Sequence, residues 1–538
     1  MAFDPFTRSV IQAGLASAAT EMFAVLKKTA MSPIIYEVLD VGTGVTDARG
    51  EIVSSGAGIP GFVGVLDKAV KRIVGLHGDS VKDGDVFVTN DPYWGGVTHL
   101  NDVVVAQPVF AEGKLLAWTA SIAHWNDVGG MTPGSMPADA TEIFQEGLRL
   151  PCVRLFDAGR KVQPVFDIIA VNSRLPEFVT GDLWAQISAG RRAAAPILKM
   201  AESYGIAAVQ DAIESAFAEG EARARAGLAK LPRGTFPVAC EQDEGDIWHA
   251  EIHIRDEAFT VDLRDAPDQK PGPFNTSHDG TRIACQLIFK VLTDPTLFAN
   301  AGSFRPLEVL TRPGSIFEAE APAPHGYYSE TRIRLSDMLW QAMSQVMPED
   351  LPAGHFSSIC GTVIAGAHPE TGRRYTMVEP QMGGWGATAS RDGLDAMYST
   401  NHGDTFNCPV EICEARYGIE VGWRRLSDSS AGQGRNSGGR GLSTCYRPRA
   451  SATLSAGYSH TRVPVWGAAG GGAGGLNRIA VRRRDGAEED FTFASGIRID
   501  PGDALMIETA NGGGWGAQTP RNKTNKDQSD LPTEETGS

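Results

Sequence analysis

The chain has little positive charge and few cysteines. It carries 49 lysines and arginines against 65 aspartates and glutamates in 538 residues, with a formal net charge of −16. This balance opposes binding to a phosphate backbone or an anionic membrane, so we expect neither nucleic acid nor a membrane as a partner. The seven cysteines include no Cys-x-x-Cys pair. We therefore expect reduced thiols and a cytoplasmic protein.

Long apolar runs and an export signal are also missing from the sequence. No stretch of about 18 apolar residues stands out, which predicts that no helix spans a membrane. The residues from Met1 to Arg8 include Asp4 and Pro5 and lack the basic start and apolar run of a secretory signal. The 42% hydrophobic and 21% charged residues are typical of a globular protein.

A phosphate-binding loop is absent as well. No Gly-x-x-x-x-Gly-Lys-Ser/Thr motif occurs in the chain. The string Gly470–Gly475 matches Gly-x-Gly-x-x-Gly, but the residues after it, Leu476–Arg483, favour a strand. A dinucleotide site needs a helix there to hold the pyrophosphate. We therefore expect this chain to bind no nucleotide, so that any ATP used in its reaction is bound by another chain.

The length predicts several domains, because one hydrophobic core seldom serves so long a chain. Helical spacing early on, alternation over Trp248–Val261 and many glycine-rich turns after Gly354 predict an α+β fold with mixed and antiparallel sheets. The predicted units are an N-terminal α/β region over 1–231, a middle α+β region over 232–350, a β-rich, glycine-rich region over 351–516 and a disordered tail over 517–538.

The most informative feature present is a repeated pattern. His99-Leu100-Asn101-Asp102 and His124-Trp125-Asn126-Asp127 each offer an imidazole and a carboxylate, with paired glycines beside each copy. These side chains are ligands for zinc, manganese or ferrous iron. A single His-x-x-Asp usually makes only a local hydrogen bond, but two copies close together favour one shared ion. Strands predicted over Val103–Phe110 and Leu115–Ile122 place both copies where a strand meets a loop.

Two carboxylates outside the repeated pattern, Asp40 and Glu146, are further candidates for a functional site. Asp40 lies in a predicted strand, Ile34–Asp47, that is otherwise rich in apolar residues, and burying an unpaired charge there would be costly. A metal or a histidine partner would remove that cost. Glu146, like most isolated acidic residues, is expected to be solvated when only the local sequence is considered.

Several motifs together resemble the hydantoinase B/5-oxoprolinase family, which also includes one subunit of ATP-dependent ketone carboxylases. In chain order they are Glu37-x-x-Asp40, Asn90-Asp91-Pro92-x-x-Gly95-Gly96-x-x-His99-x-x-Asp102, His124-x-x-Asp127-x-Gly129-Gly130, Pro133–Pro137 with Glu146-Gly147, Phe304-Arg305-Pro306, Asn407-x-Pro409-x-Glu411 and Gly512-Gly513-Gly514-x-Gly516. The resemblance covers about Phe6 to Arg521. It departs at Trp125, where many members have a second histidine, and this departure suggests a different substrate.

The resemblance implies a site and a partner. It places one divalent metal ion, zinc or manganese rather than iron, on His99, Asp102 and His124. Asp40 and Asp127 become extra ligands or residues that orient the imidazoles, and Asp127 or Glu146 a general base. It also implies a hetero-oligomer with an ATP-binding, hydantoinase A-like subunit that phosphorylates the substrate.

These expectations lead to a hydrolase. The favoured function is the metal-containing subunit of an ATP-dependent cyclic amide hydrolase that opens a hydantoin, 5-oxoproline or lactam ring. A subunit of an ATP-dependent ketone carboxylase is the alternative. A non-haem iron oxygenase with a two-histidine, one-carboxylate set is more remote, and the repeated ligand pairs disfavour a non-enzymatic scaffold.

Overall fold

The computed structural model describes residues 4–518, except positions 94, 298 and 404. The tail predicted to be disordered over 517–538 therefore lies outside the described residues, apart from its first two positions.

Nine α-helices occur in the described ranges, and several begin with proline at the first or second position, where its missing N–H costs nothing. They are α1 (Pro5–Thr29), α2 (Pro33–Tyr36), α3 (Pro60–His77), α4 (Gln163–Val171), α5 (Pro176–Tyr204), α6 (Ile206–Leu228), α7 (His278–Thr293), α8 (Tyr328–Val346) and α9 (Val410–Arg416). The chain from Gln163 to Leu228 forms three helices in succession, α4, α5 and α6. Gly205, with φ of +84°, ends α5 and starts α6 in a new direction.

Twenty strands form four sheets over the same part of the chain. The strands are β1 (Val41–Asp47), β2 (Ile52–Gly58), β3 (Val86–Thr89), β4 (Asp102–Ala111), β5 (Lys114–His124), β6 (Val153–Asp157), β7 (Arg160–Lys161), β8 (Gly234–Glu241), β9 (Ile247–Ile254), β10 (Phe259–Asp262), β11 (Leu307–Leu310), β12 (Thr362–Ala367), β13 (Arg374–Glu379), β14 (Ile419–Leu426), β15 (Leu442–Pro448), β16 (Ala452–Gly457), β17 (Arg478–Arg482), β18 (Glu488–Phe491), β19 (Phe493–Ile499) and β20 (Ala504–Glu508). Their orders are β2-β1-β5-β4-β3-β6-β7, β11-β10-β9-β8, β13-β12-β16-β19 and β14-β15-β20-β17-β18. Only the β10–β11 pair among these named strands is parallel, so the predicted α+β class with mixed and antiparallel sheets is confirmed.

The first sheet is buried on both faces. Val103 and Val105 of β4 join the core formed with α1 and α5, while Val104 and Ala106 join a second cluster formed with α3. Successive residues of a strand point to opposite faces, so the even-numbered residues of β4 face α3. Burial on both faces explains why these strands have nearly continuous apolar sequences.

The start of β1 differs from the prediction. A strand was expected from Ile34, but Pro33 starts the short helix α2 and Leu39 adopts a φ of +65° before the strand begins at Val41. A proline at the first helical position is pre-organised for a turn of helix. The chain therefore bends sharply just before Asp40.

The division of the chain into three folded regions stays a prediction. The hydrophobic cores agree with a separate middle region but not with a separation of the first region from the third. Residues from Ala224 to Leu351 contribute to a separate core around β8–β11, α7 and α8. The largest core, in contrast, contains residues of both the first and the third predicted regions, from Ile11 through Phe356 to Ala510. The first and third regions therefore bury a common hydrophobic cluster.

Helix α1 bears on the expectation that no helix spans a membrane. Over the described ranges it is the one helix that is long and apolar enough, by length and composition, to cross a membrane. Much of its hydropathy comes from alanine, and a search for long runs of large apolar residues therefore does not detect it. Six of its residues are buried inside the protein, and the helix contacts α5, as in the core helix of a globular domain.

The glycine strings pack backbone against backbone. A Cβ atom added at Gly471 would lie 2.1 Å from the carbonyl oxygen of Gly514, and one added at Gly512 would lie 2.0 Å from that of Trp385. Only glycine allows such close approach. The element after the first string is strand β17, as predicted, so the helix of a dinucleotide motif is not present there.

Candidate metal centre

Strand register brings together residues from both copies of the repeated pattern. Asp102 is the first residue of β4, His124 is the last residue of β5, and the two pair directly across the hairpin. Strand β1 lies on the other side of β5, and the His124 N–H donates to the carbonyl oxygen of Asp40 at 3.1 Å. One end of three neighbouring strands therefore presents Asp40, His124 and Asp102.

His99 completes a cluster of three. It lies in the turn before β4, where its carbonyl oxygen accepts the Asp102 N–H at 3.1 Å. His99, Asp102 and His124 each offer one ligand atom, and these atoms all lie within 4.8 Å of one another. All three side chains are buried, and Nε2 of His99 lies 3.2 Å from Oδ1 of Asp102. This is the one group of at least three histidine, cysteine or acidic residues, over the described positions, that has metal-binding geometry.

Neighbouring groups orient two of these side chains. Oδ2 of Asp102 accepts the hydroxyl protons of Thr98 at 2.5 Å and Tyr328 at 3.0 Å, which leaves Oδ1 facing the imidazoles. Nδ1 of His99 lies 3.1 Å from the carbonyl oxygen of Gly326. A carbonyl can only accept, so Nδ1 of His99 carries a proton in this contact, and Nε2 is the ring nitrogen that faces Asp102. Such outer contacts are typical of metal-binding histidines.

The cluster fits a divalent ion. Oδ1 of Asp102 and Nδ1 of His124 are buried and accept no hydrogen bond from the described part of the chain. Buried polar atoms nearly always have a partner. Two imidazoles and one carboxylate form a donor set used for zinc, manganese and ferrous iron, so these residues could hold any of the three.

The protonation states suit metal binding. Burial lowers the pKa of His124 to about 4, so the ring is neutral at pH 7. Burial raises the pKa of Asp102, but the two neighbouring imidazoles more than offset this, and its pKa falls below the usual range. Burial and the charge of Asp102 together raise the pKa of Asp40 well above its usual value. The two carboxyl groups at this end of the sheet therefore differ in acidity, and Asp102 is the stronger acid of the two.

Asp127 lies in a different environment from Asp102. Its carboxylate accepts the backbone N–H groups of Gly129, Gly134 and Arg174 at 2.9–3.1 Å, and it forms an ion pair with the Arg174 guanidinium at 3.0 Å. It is not part of the three-residue cluster. The second copy of the pattern therefore contributes only its histidine to the cluster, and the role of Asp127 as a general base stays a prediction.

Glu146 acts on His99 through the backbone. Its carboxylate accepts the N–H of His325 at 3.0 Å and that of Gly326 at 2.6 Å, and Gly326 in turn holds His99. Burial raises the pKa of Glu146 to about 7, even though both backbone hydrogen bonds oppose the shift. This geometry suits a residue that fixes the loop around positions 325 and 326, and its role as a base likewise stays a prediction.

Trp125 does not belong to the cluster. It packs in the core shared with α1 and α5, on the opposite side of the first sheet from α3, and its ring N–H donates to Gln186 at 3.0 Å. Trp125 is therefore a core residue, and the substrate difference suggested by this position has no contact to support it.

Sequence reasoning missed residues that come from distant parts of the chain. Tyr328 and Arg332 lie in the first turns of α8, where polar residues predominate. His402 is buried, and burial followed by the positive charge of Arg332 lowers its pKa to about 3, while Asp102 and His124 also act on it. Burial of polar residues cannot be read from the sequence, so no local signal indicated this part of α8.

Comparison with known proteins identifies the family. The family model described as hydantoinase B/oxoprolinase matches residues 4–518. The chain belongs to the hydantoinase B/oxoprolinase family. Its relatives include the caprolactamase subunit beta of Pseudomonas jessenii, which is 30% identical over 536 residues that cover 95% of this chain and 91% of the relative.

Two solved structures resemble this member of the family. The ATP-dependent caprolactamase from Pseudomonas jessenii superposes with a TM-score of 0.89 and 26% identity, covering 96% of this chain and 91% of that one. A nucleotide-free acetone carboxylase superposes with a TM-score of 0.82, covering 95% of this chain and 76% of that one. Its 19% identity shows a common fold and does not extend to activity.

Proposed function

We propose that this chain is the metal-containing subunit of an ATP-dependent cyclic amide hydrolase. The observation that carries the proposal is the buried cluster of His99, Asp102 and His124 at the strand ends. Its membership of the hydantoinase B/oxoprolinase family and its similarity to a caprolactamase subunit beta support hydrolysis of a lactam, hydantoin or 5-oxoproline ring.

The proposed division of work follows from the chemistry of the amide. Resonance makes an amide carbon a poor electrophile, and phosphorylation of the amide oxygen would turn that oxygen into a leaving group. The sequence contains no phosphate-binding loop, so we assign phosphorylation to an ATP-binding, hydantoinase A-like partner in a hetero-oligomer. The relative's designation as subunit beta supports such a partner.

His99, Asp102 and His124 are the residues proposed to hold zinc or manganese, with iron a weaker candidate. When bound, a divalent ion would supply Lewis-acid chemistry to a carbonyl or phosphoryl oxygen. Thr98, Tyr328 and the Gly326 carbonyl fix the ligand side chains before any ion binds. Binding would therefore require little reorganisation.

Asp40 is the carboxyl best placed to move a proton. Its Oδ1 is buried without a hydrogen-bond partner in the described part of the chain, whereas Asp127 and Glu146 already accept several backbone protons. We therefore propose Asp40 as the general acid or base and regard the other two carboxylates as positioning residues.

The test uses the chain co-purified with its ATP-binding partner. We expect caprolactam, hydantoin or 5-oxoproline to be opened only with ATP, with phosphate released in step with product, and both to stop after removal of metal by a chelator. Ring opening at full rate without ATP would refute the proposal. A ketone converted to a carboxylated product in the presence of bicarbonate would instead establish the carboxylase alternative.

A further inference from the structure

Arg332 is a fully buried cation that forms no ion pair with any described residue. It lies in α8 with 0% of its surface exposed, and its Nε and Nη1 atoms have no hydrogen-bond partner over the described ranges. Its guanidinium lies 4.9 Å from the ring centre of Tyr328. Transferring an unpaired charge from water to the interior is strongly unfavourable. The position therefore calls for a negatively charged group.

The fold leaves space for this guanidinium. A Cβ atom added at Gly61 in α3 would lie 2.5 Å from Nη2 of Arg332. The absence of a side chain at Gly61 is therefore what allows the guanidinium to lie against α3. This is the same helix that covers the face of the first sheet to which the even-numbered residues of β4 point.

One side chain separates Arg332 from the candidate metal centre. The ring of Tyr328 lies under the guanidinium, its hydroxyl donates to Asp102, and its ring centre lies 5.0 Å from that of His99. The positive charge of Arg332 also acts to lower the pKa of both Asp40 and His402. Arg332 thus belongs to the same buried polar cluster as the three proposed ligands.

The carboxyl groups of the cluster do not neutralise Arg332. Asp102 is engaged by His99, Thr98 and Tyr328. Oδ1 of Asp40 has no hydrogen-bond partner among the described residues, the guanidinium included. Glu330, on the same helix, accepts from Ser459 and from the Ile359 N–H. Even with Asp40 and Asp102 both ionised, a divalent ion together with Arg332 would leave the complete centre with a net positive charge that an anion must balance.

We propose that Arg332 is the oxyanion receptor of this centre and binds the phosphoryl group of the phosphorylated substrate. Planar guanidinium donors match the oxygens of phosphate, and phosphate, with up to two negative charges, balances the excess better than a singly charged carboxylate or bicarbonate does. The assignment of the anion as a phosphorylated substrate rests on the proposed function. The demand for an oxyanion at Arg332 does not.

The experiment measures binding of inorganic phosphate to the full chain by calorimetry, with and without bound metal. We expect Arg332→Met to weaken phosphate binding by about tenfold or more, and Arg332→Lys, which keeps the charge but loses the planar donors, to weaken it less. Arg334→Lys is the matched control, because Arg334 lies on the same helix, 3.3 Å from Glu244 and against the ring of Trp248. It should leave phosphate binding unchanged.

Thermal unfolding distinguishes a binding role from a structural one. If the guanidinium awaits an anion, Arg332→Met should unfold at the same or a higher temperature than the natural chain without phosphate, and phosphate should no longer raise that temperature. A loss of stability in Arg332→Met together with unchanged phosphate binding in Arg332→Lys would overturn the proposal.

Bicarbonate and the activity assay separate the remaining outcomes. Tighter binding of bicarbonate than of phosphate would overturn the assignment to a phosphoryl group. Phosphate binding that depends on Arg332 in a protein that opens no ring would refute the proposed function and leave the oxyanion receptor intact. If the protein opens the ring normally and both Arg332 variants bind phosphate as the natural chain does, the oxyanion receptor is refuted and the proposed function is kept.

Discussion

The two copies of His-x-x-Asp have the same spacing but occupy different positions relative to the strands. In the first copy the pattern enters a strand, so that His99 lies in the turn and Asp102 begins β4. In the second copy it leaves a strand, so that His124 ends β5 and Asp127 lies in the following loop. Asp102 and His124 meet because they are cross-strand partners. The same spacing then carries Asp127 away from the cluster.

This difference separates two uses of a buried carboxylate. Asp102 is held through one oxygen by two hydroxyl groups and turns the other toward the imidazoles. Asp127 is surrounded by backbone N–H groups and a guanidinium, an arrangement that fixes the loop after β5. Spacing alone therefore identifies residues capable of binding a metal, and strand register decides which of them meet.

The largest effect is expected from a ligand of the first copy. His99→Ala should abolish bound metal and ring opening together, because two protein ligands rarely retain zinc or manganese at a site built for three. Metal content by mass spectrometry and turnover with the partner subunit are the measurements. His249→Ala is the matched control, since His249 is exposed on β9. Full metal occupancy in His99→Ala would disprove the assignment of this ligand.

Exchanging each aspartate for asparagine tests the comparison directly. Asp102→Asn should lose metal, whereas Asp127→Asn should keep it and lower the free energy of unfolding by about 2 kcal/mol, because charge-assisted hydrogen bonds in the loop are lost. Metal content and urea unfolding are measured on both variants. If Asp127→Asn loses metal as completely as Asp102→Asn, the two copies are equivalent after all.

Glu146→Gln should have a smaller effect, on metal affinity. The amide keeps one acceptor oxygen but presents an NH₂ group to a backbone N–H, so the loop that holds His99 loosens. We expect affinity for zinc to fall by about tenfold, as is typical when an outer partner of a ligand is changed. Competition with a zinc chelator measures this. Glu202→Gln, at an exposed position of α5, should leave the affinity unchanged.

The smallest effect is expected at Trp125. Trp125→Phe removes the ring N–H that donates to Gln186 and should cost about 1 kcal/mol of stability with no change in metal content. Trp184→Phe on α5 is the control, since that indole is partly exposed. A loss of metal in Trp125→Phe would show that this residue contributes to the centre in spite of its position in the core.

Local patterns predicted the strands that carry the cluster. Continuous apolar sequence predicted strands over Val103–Phe110 and Leu115–Ile122, and the structure has them as β4 and β5, slightly longer at their ends. Asp102 and His124 are among these added end residues. Their polarity excluded them from an apolar pattern, although their backbones still pair.

Long-range contacts could not be predicted in this way. Gly326, which orients His99, is 227 positions away in the chain, and Tyr328 is 226 positions from Asp102. Neither residue belongs to a local motif with a known chemistry. The buried start of α8 is polar because it serves this cluster, so hydrophobic periodicity gave no indication of it.

The contact between Glu146 and Gly326 has an evolutionary consequence. A methyl group at position 326 would lie 2.9 Å from Oε1 of Glu146, across 180 positions of sequence. A side chain gained at 326 would displace this carboxylate oxygen from the backbone N–H group that it accepts. We therefore expect substitutions at 326 to be accompanied by a shorter or shifted side chain at 146, so that the two positions covary in related sequences.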